Sequence, residues 1–163
     1  MNFREGDPVM HWTYGFGRVV RLEERALSGQ KAMYYAVQIG DLTVWVPADS
    51  NLGNRLRPPT SKARFKDLLA ILSGPGEPLP DDRQERKTRI LELLKDGRAE
   101  SLCKVIRNLS AYRRVRALND NDQALLKRAQ SALLGEWGFA LSVTPAQAEL
   151  EMHRLLASGS AGD

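Results

Sequence analysis

The sequence predicts an α+β protein of two domains, a small SH3-like or Tudor-like β barrel followed by an all-α helical bundle. Three observations predict it. Short β-rich runs with turn residues between them are confined to the first third, a proline-containing break stands at Arg57-Pro58-Pro59-Thr60-Ser61, and apolar residues recur at helical spacing from Phe65 onward. The chain has 163 residues, enough for one ordinary domain or two small ones. Its 42% hydrophobic and 27% charged residues are those of a chain that folds.

The first expected strands are Val9-Met10-His11-Trp12 and Arg18-Val19-Val20-Arg21-Leu22, separated by Gly15-Phe16-Gly17. Next come Ala32 to Ile39 and Leu42 to Val46, with turns at Ser28-Gly29 and Gly40-Asp41, the latter the sharpest hairpin signal in the chain. Proline cannot donate to a strand ladder and restricts the residue before it, so Pro58-Pro59 ends the β domain, expected over 1–58.

The helical domain is expected over 61–158. Phe65, Leu68, Leu69 and Leu72 give its first helix, broken by Gly74-Pro75-Gly76. Asp82-x-x-Glu85 opens a second helix that runs to about Lys95. Leu102, Val105, Ile106 and Leu109 form the buried stripe of a third, while Asn119 to Asp122 supply caps for a fourth carrying Leu126, Ala129, Leu133 and Trp137. Thr144-Pro145-x-Gln147 starts the last, which leads into a short Ser158-Gly159-Ser160-Ala161-Gly162 tail.

Charge is distributed unevenly. Residues 1–58 carry seven Lys/Arg against six Asp/Glu, whereas Arg83 to Arg116 carry eleven against four. That local excess suits a polyanion bound through counterion release, and equally a solvated helix surface. Arg83, Arg86 and Lys87 share a helical stripe that Ile90, Leu91 and Leu94 continue, so either the basic half faces phosphate or it is a solvated first turn. Trp45 lies between Val44 and Val46, so strand alternation turns it outward if the valines face the core, where it would anchor a protein partner.

Catalytic groups are scarce. The two histidines, His11 and His153, have no evident partners, and Cys103 flanks an apolar stripe. Tyr14-Gly15-Phe16-Gly17 lacks the third glycine and following helix of a dinucleotide site, and Asp120-Asn121-Asp122 lacks the glycine of a calcium loop. No catalytic residue, metal site, cofactor or small-molecule substrate is therefore expected. No apolar run approaches the ~20 residues that span a bilayer, and Met1 to Glu5 lack a signal-peptide core, so no membrane partner and a cytoplasmic location are expected.

Phe3-x-x-Gly6-Asp7-x-Val9, Tyr14-Gly15-x-Gly17-x-Val19 and Leu42-x-Val44-x-Val46-Pro47, in this order, resemble the N-terminal signature of the CarD family of bacterial transcription regulators. Val105-Ile106-Arg107-Asn108-Leu109 after Gly97, and Ala129-x-x-Ala132-Leu133-Leu134-x-Glu136, are similar to its C-terminal pattern. The resemblance implies a Tudor-like domain, shared with transcription-repair coupling factors, that binds the β subunit of RNA polymerase, and a helical domain that touches upstream promoter DNA and stabilises the open complex.

The polymerase-contacting arginines it implies fall on Arg25 and on Trp45, where this chain departs from arginine, and Pro47 of the same signature is expected to share the polymerase-binding surface. The family's minor-groove tryptophan falls on Arg83, and two further basic positions fall on Thr88 and Gln123, the former flanked by Lys87 and Arg89. The expected function is a polymerase-bound regulator whose Arg83, Arg86, Lys87 and Arg89 contact promoter DNA weakly and without sequence preference. The competing expectation is a protein-interaction adaptor that has lost DNA contact.

Overall fold

A computed structural model describes residues 2–27 and 29–160. Ser28 of the expected turn and Ala161-Gly162 of the tail lie outside them. The backbone divides into two units, Met1–Pro59 and Thr60–Asp163.

The first unit is one antiparallel sheet of β1 (Pro8–His11), β2 (Gly15–Leu27), β3 (Gln30–Ile39), β4 (Leu42–Pro47) and β5 (Leu56–Arg57), in the order β4-β3-β2-β1-β5. Gly40 and Asp41 form the two-residue turn between Ile39 and Leu42, which pair directly. Gly15 takes a positive φ of 87° in the β1–β2 turn. Gly17 sits so close to β3 that a Cβ would lie 2.5 Å from the Gln38 carbonyl oxygen. The inner face buries Val9, Val19, Tyr35, Val37, Val46, Leu52 and Leu56, and Phe3 packs edge-on against Tyr35.

Two features differ from the sequence expectation. β2 continues past Leu22 to Leu27 and β3 starts at Gln30, because their pairing holds even the poor strand formers Glu23, Glu24 and Ala26 in register. A register shift between Val19 and Arg21 bends β2 within this ladder. The ladder of the expected SH3-like or Tudor-like barrel is also not hydrogen bonded all the way round. β4 and β5 end the strand order without pairing to each other among the described residues, since β5 is only two residues long before Pro58-Pro59 stops it.

The second unit holds α1 (Lys62–Leu69), α2 (Arg83–Leu94), α3 (Ala99–Arg113), α4 (Asp120–Leu141) and α5 (Pro145–Ser160), with a 3-10 turn over Ala70–Ser73 after α1. Local capping chemistry sets the starts. Asp82 accepts from the Glu85 N–H, Asn119 and Asp122 close a reciprocal capping box, and Thr144 and Gln147 do the same ahead of α5. Phe65, Leu72, Ile90, Val105, Ile106, Leu109, Leu133 and Met152 lie at the centre of the core. Glu136 of α4 is fully buried and accepts the Thr60 N–H at 2.7 Å, which ties the first residue of the unit to the bundle. No described helix is long and apolar enough to cross a membrane.

Candidate functional site

Residues directly opposite in a sheet share a face, so the register of β2, β3 and β4 defines the outer surface. Arg21 pairs with Ala36 and Ala36 with Trp45; in the next outward row Glu23 pairs with Tyr34 and Tyr34 with Pro47. Val46 is buried in the core and Val44 packs against it, so Trp45 faces outward.

Arg25 and Arg21 both reach across β3 to the Trp45 ring, their guanidinium carbons 4.3 and 5.3 Å from its centroid. Ala36, the β3 residue that separates Arg21 from Trp45 in the register, has no side chain large enough to block this approach. Glu23 bridges the two cations, hydrogen bonded to Arg21 Nε and 3.8 Å from Arg25 Nη1. These arginines hold its carboxyl below the usual glutamate range, chiefly through the Arg21 hydrogen bond.

The structure thus gathers Arg25, Trp45 and Pro47 on one face and adds Arg21, Glu23 and Tyr34. The added residues were within reach of the sequence through the i, i+2, i+4 alternation of Arg21, Glu23 and Arg25. The expected strand stops at Leu22, short of Glu23 and Arg25. β4 is also a sheet edge, with backbone groups on its outer side that no described strand pairs.

The basic helix is less uniform. Arg83, Lys87 and Arg89 are exposed, but Arg86 is 3% exposed and is corrected from a DNA contact to a structural residue. Its Nε and Nη2 donate to the two carboxylate oxygens of Asp122 at 2.9 and 2.8 Å, and its Nη1 donates to the Pro80 and Asp81 carbonyls and the Tyr112 hydroxyl. Its guanidinium also lies over the Tyr112 ring, 4.8 Å from the centroid. A guanidinium committed in this way and removed from solvent cannot reach a phosphate. Arg86, Ile90 and Leu94 form the buried stripe, one turn apart, so the basic half of α2 does not project as a unit.

Arg83 and Lys87 are one turn apart on one flank. Arg89 is about 160° around the axis from Lys87 and stands between Glu85 and Glu92.

The residues weighed for catalysis take structural positions. His11 accepts the Thr13 and Tyr14 backbone N–H groups at Nδ1, and burial lowers its pKa. Burial, reinforced by the Glu136 carboxylate, pushes the Cys103 thiol up to about 12. His153 is exposed, 3.8 Å from Glu149. Among the described residues no group of three His, Cys, Asp or Glu side chains is arranged to hold a metal ion.

The model of the CarD-like/TRCF RID domain matches residues 3–58, and that of the CarD C-terminal domain matches residues 67–153. The chain belongs to the CarD family. Among the proteins it is similar to is "Putative transcription factor YdeB" of Bacillus subtilis (strain 168), 26% identical over 148 residues that cover 89% of this chain and 96% of that protein. The first matched segment carries the sheet and the second most of the helical unit, α2 included, so the CarD assignment takes in both surfaces described above. A CarD protein is of transcription-factor type, and its partner is the transcription machinery.

Proposed function

We propose that this CarD protein docks on the β subunit of RNA polymerase through the outer face of its sheet, in the cytoplasm, and there modulates the stability of the open promoter complex. The observation that carries the proposal is the convergence of Arg25 and Trp45, twenty positions apart in sequence, into one stacked contact beside Pro47. Arginine and tryptophan are the side chains that most often dominate protein interfaces. The open outer edge of β4 adds backbone donors and acceptors that an extended segment of the polymerase can pair.

The helical unit supplies a weaker second contact, with Arg83 and Lys87 meeting phosphates of upstream promoter DNA and Arg89 marginal to them. Anchoring to polymerase raises the effective concentration of such a weak surface, so two exposed cations on one flank suffice where DNA binding alone would fail. Arginine at position 83 gains from the negative potential of a minor groove instead of wedging apart a base step.

The burial of Arg86 favours a second reading, an adaptor that binds polymerase without touching DNA. Binding of the full chain to an isolated polymerase β-lobe tests the proposal. Arg25→Glu is expected to weaken it on the order of tenfold or more, by reversing the charge at the centre of the stacked contact; unchanged affinity would remove the docking assignment.

A further inference from the structure

Among the described residues Glu23 is the carboxylate bound to the Arg21–Trp45–Arg25 stack, and the docking proposal gives it no task. It is exposed enough to need no neutralisation for folding, yet it lies where an incoming anion would be drawn. Its two contacts are unequal. The bond to Arg21 is a hydrogen bond at 2.5 Å, whereas the approach to Arg25 is 3.8 Å and leaves that guanidinium with donors to offer.

We propose that Glu23 is a specificity-determining residue of the docking face, an internal counter-charge that a partner's own carboxylate displaces from Arg25. The inference rests on the docking reading and deepens it by naming what the partner must present. That is an Asp or Glu side chain to take over Arg25, next to an apolar side chain that covers Trp45, Tyr34 and Pro47. A surface without a carboxylate gains nothing at Arg25 and must still disturb the bridge, so Glu23 filters partners as well as weakening the correct one. The occupant is a protein and not a nucleic acid, because Arg21 and Arg25 less Glu23 leave a single net positive charge here. Phosphate-backbone binding grows with the number of phosphates neutralised and has little to draw on.

Removing the charge while keeping the shape gives the test. Full-length Glu23→Gln, Arg25→Glu and unaltered protein are titrated with the isolated polymerase β-lobe at low and at high salt, and with a DNA duplex in parallel. Glu23→Gln is expected to bind the lobe about two- to fivefold more tightly at low salt, the size of an exposed charge interaction, with the gain shrinking as salt rises. Arg25→Glu should weaken binding in the same series. If Arg25→Glu weakens binding but Glu23→Gln leaves it unchanged or weaker, the role of Glu23 is overturned while the docking face stands. If neither substitution has an effect, the docking reading falls and takes this inference with it. Tighter binding of Glu23→Gln to the duplex and not to the lobe would overturn the partner class.

Discussion

Removing Arg86 leaves the Asp122 carboxylate, 1% exposed, without the guanidinium that satisfies both of its oxygens. An uncompensated buried charge costs far more than the pair contributes. Arg86→Ala is therefore expected to destabilise the chain by about 3–5 kcal/mol, measured by denaturant unfolding. Arg86→Met combined with Asp122→Leu should recover most of that, short of the roughly 1 kcal/mol lost with the Asp122 arm of the capping box. A small effect of Arg86→Ala, or a double variant no better than the single one, would show that the pair is not what holds the start of α2 to α4. This role was not legible in the sequence. Helical spacing gives the face on which Arg86 lies, but its anion partner is 36 positions away, and the turns of α2 give no sign of which cation meets it. Trp45 was legible, because alternation between two core valines depends on nearest neighbours alone.

Among the elements, the β2–β3 ladder fixes both the outer face proposed for docking and the core beneath it. Gly17 allows β2 to approach β3 closely, and the atom that a Cβ would strike is a backbone carbonyl that no rotamer change can move. Gly17→Ala is expected to cost about 1–3 kcal/mol of stability, through a local separation of the strands. A thermal melt unchanged from that of the parent would contradict this. Helix starts at Asp82, Asn119 and Thr144 were readable because each cap is complete within four residues. The strand β5 was not, since it exists only through pairing with the distant β1; nor was the extension of β2 to Leu27, which rests on hairpin pairing with Gln30 to Tyr34 and not on the strand preference of Glu23, Glu24 and Ala26. Alternation puts Arg21 and Glu23 on the face of Arg25, but their approach to Trp45 exists only once β3 is laid between β2 and β4.

Across the whole molecule the two units have different proposed work, the sheet providing specific attachment and the helices a salt-sensitive contact with DNA. Paired replacement of Arg83 and Lys87 by alanine should weaken association with promoter DNA in the polymerase complex and lower the salt slope by roughly 1–2, while leaving lobe binding intact. Replacing Arg89 alone should do much less, because it shares its flank with Glu85 and Glu92. An unchanged slope in the paired variant would favour the adaptor that binds polymerase without DNA. The α+β fold class follows from local periodicity, and the strand order and open β4 edge do not, because register between strands is set by contacts that no single segment encodes. The most direct test of the central claim is backbone hydrogen exchange of the full chain with and without the polymerase β-lobe. The account predicts slowed exchange along Leu42–Pro47 and the paired stretch of β2 around Arg21 to Arg25, with residues of the helical unit unaffected. Protection confined to the helical unit, or none at all at saturating lobe, would contradict it.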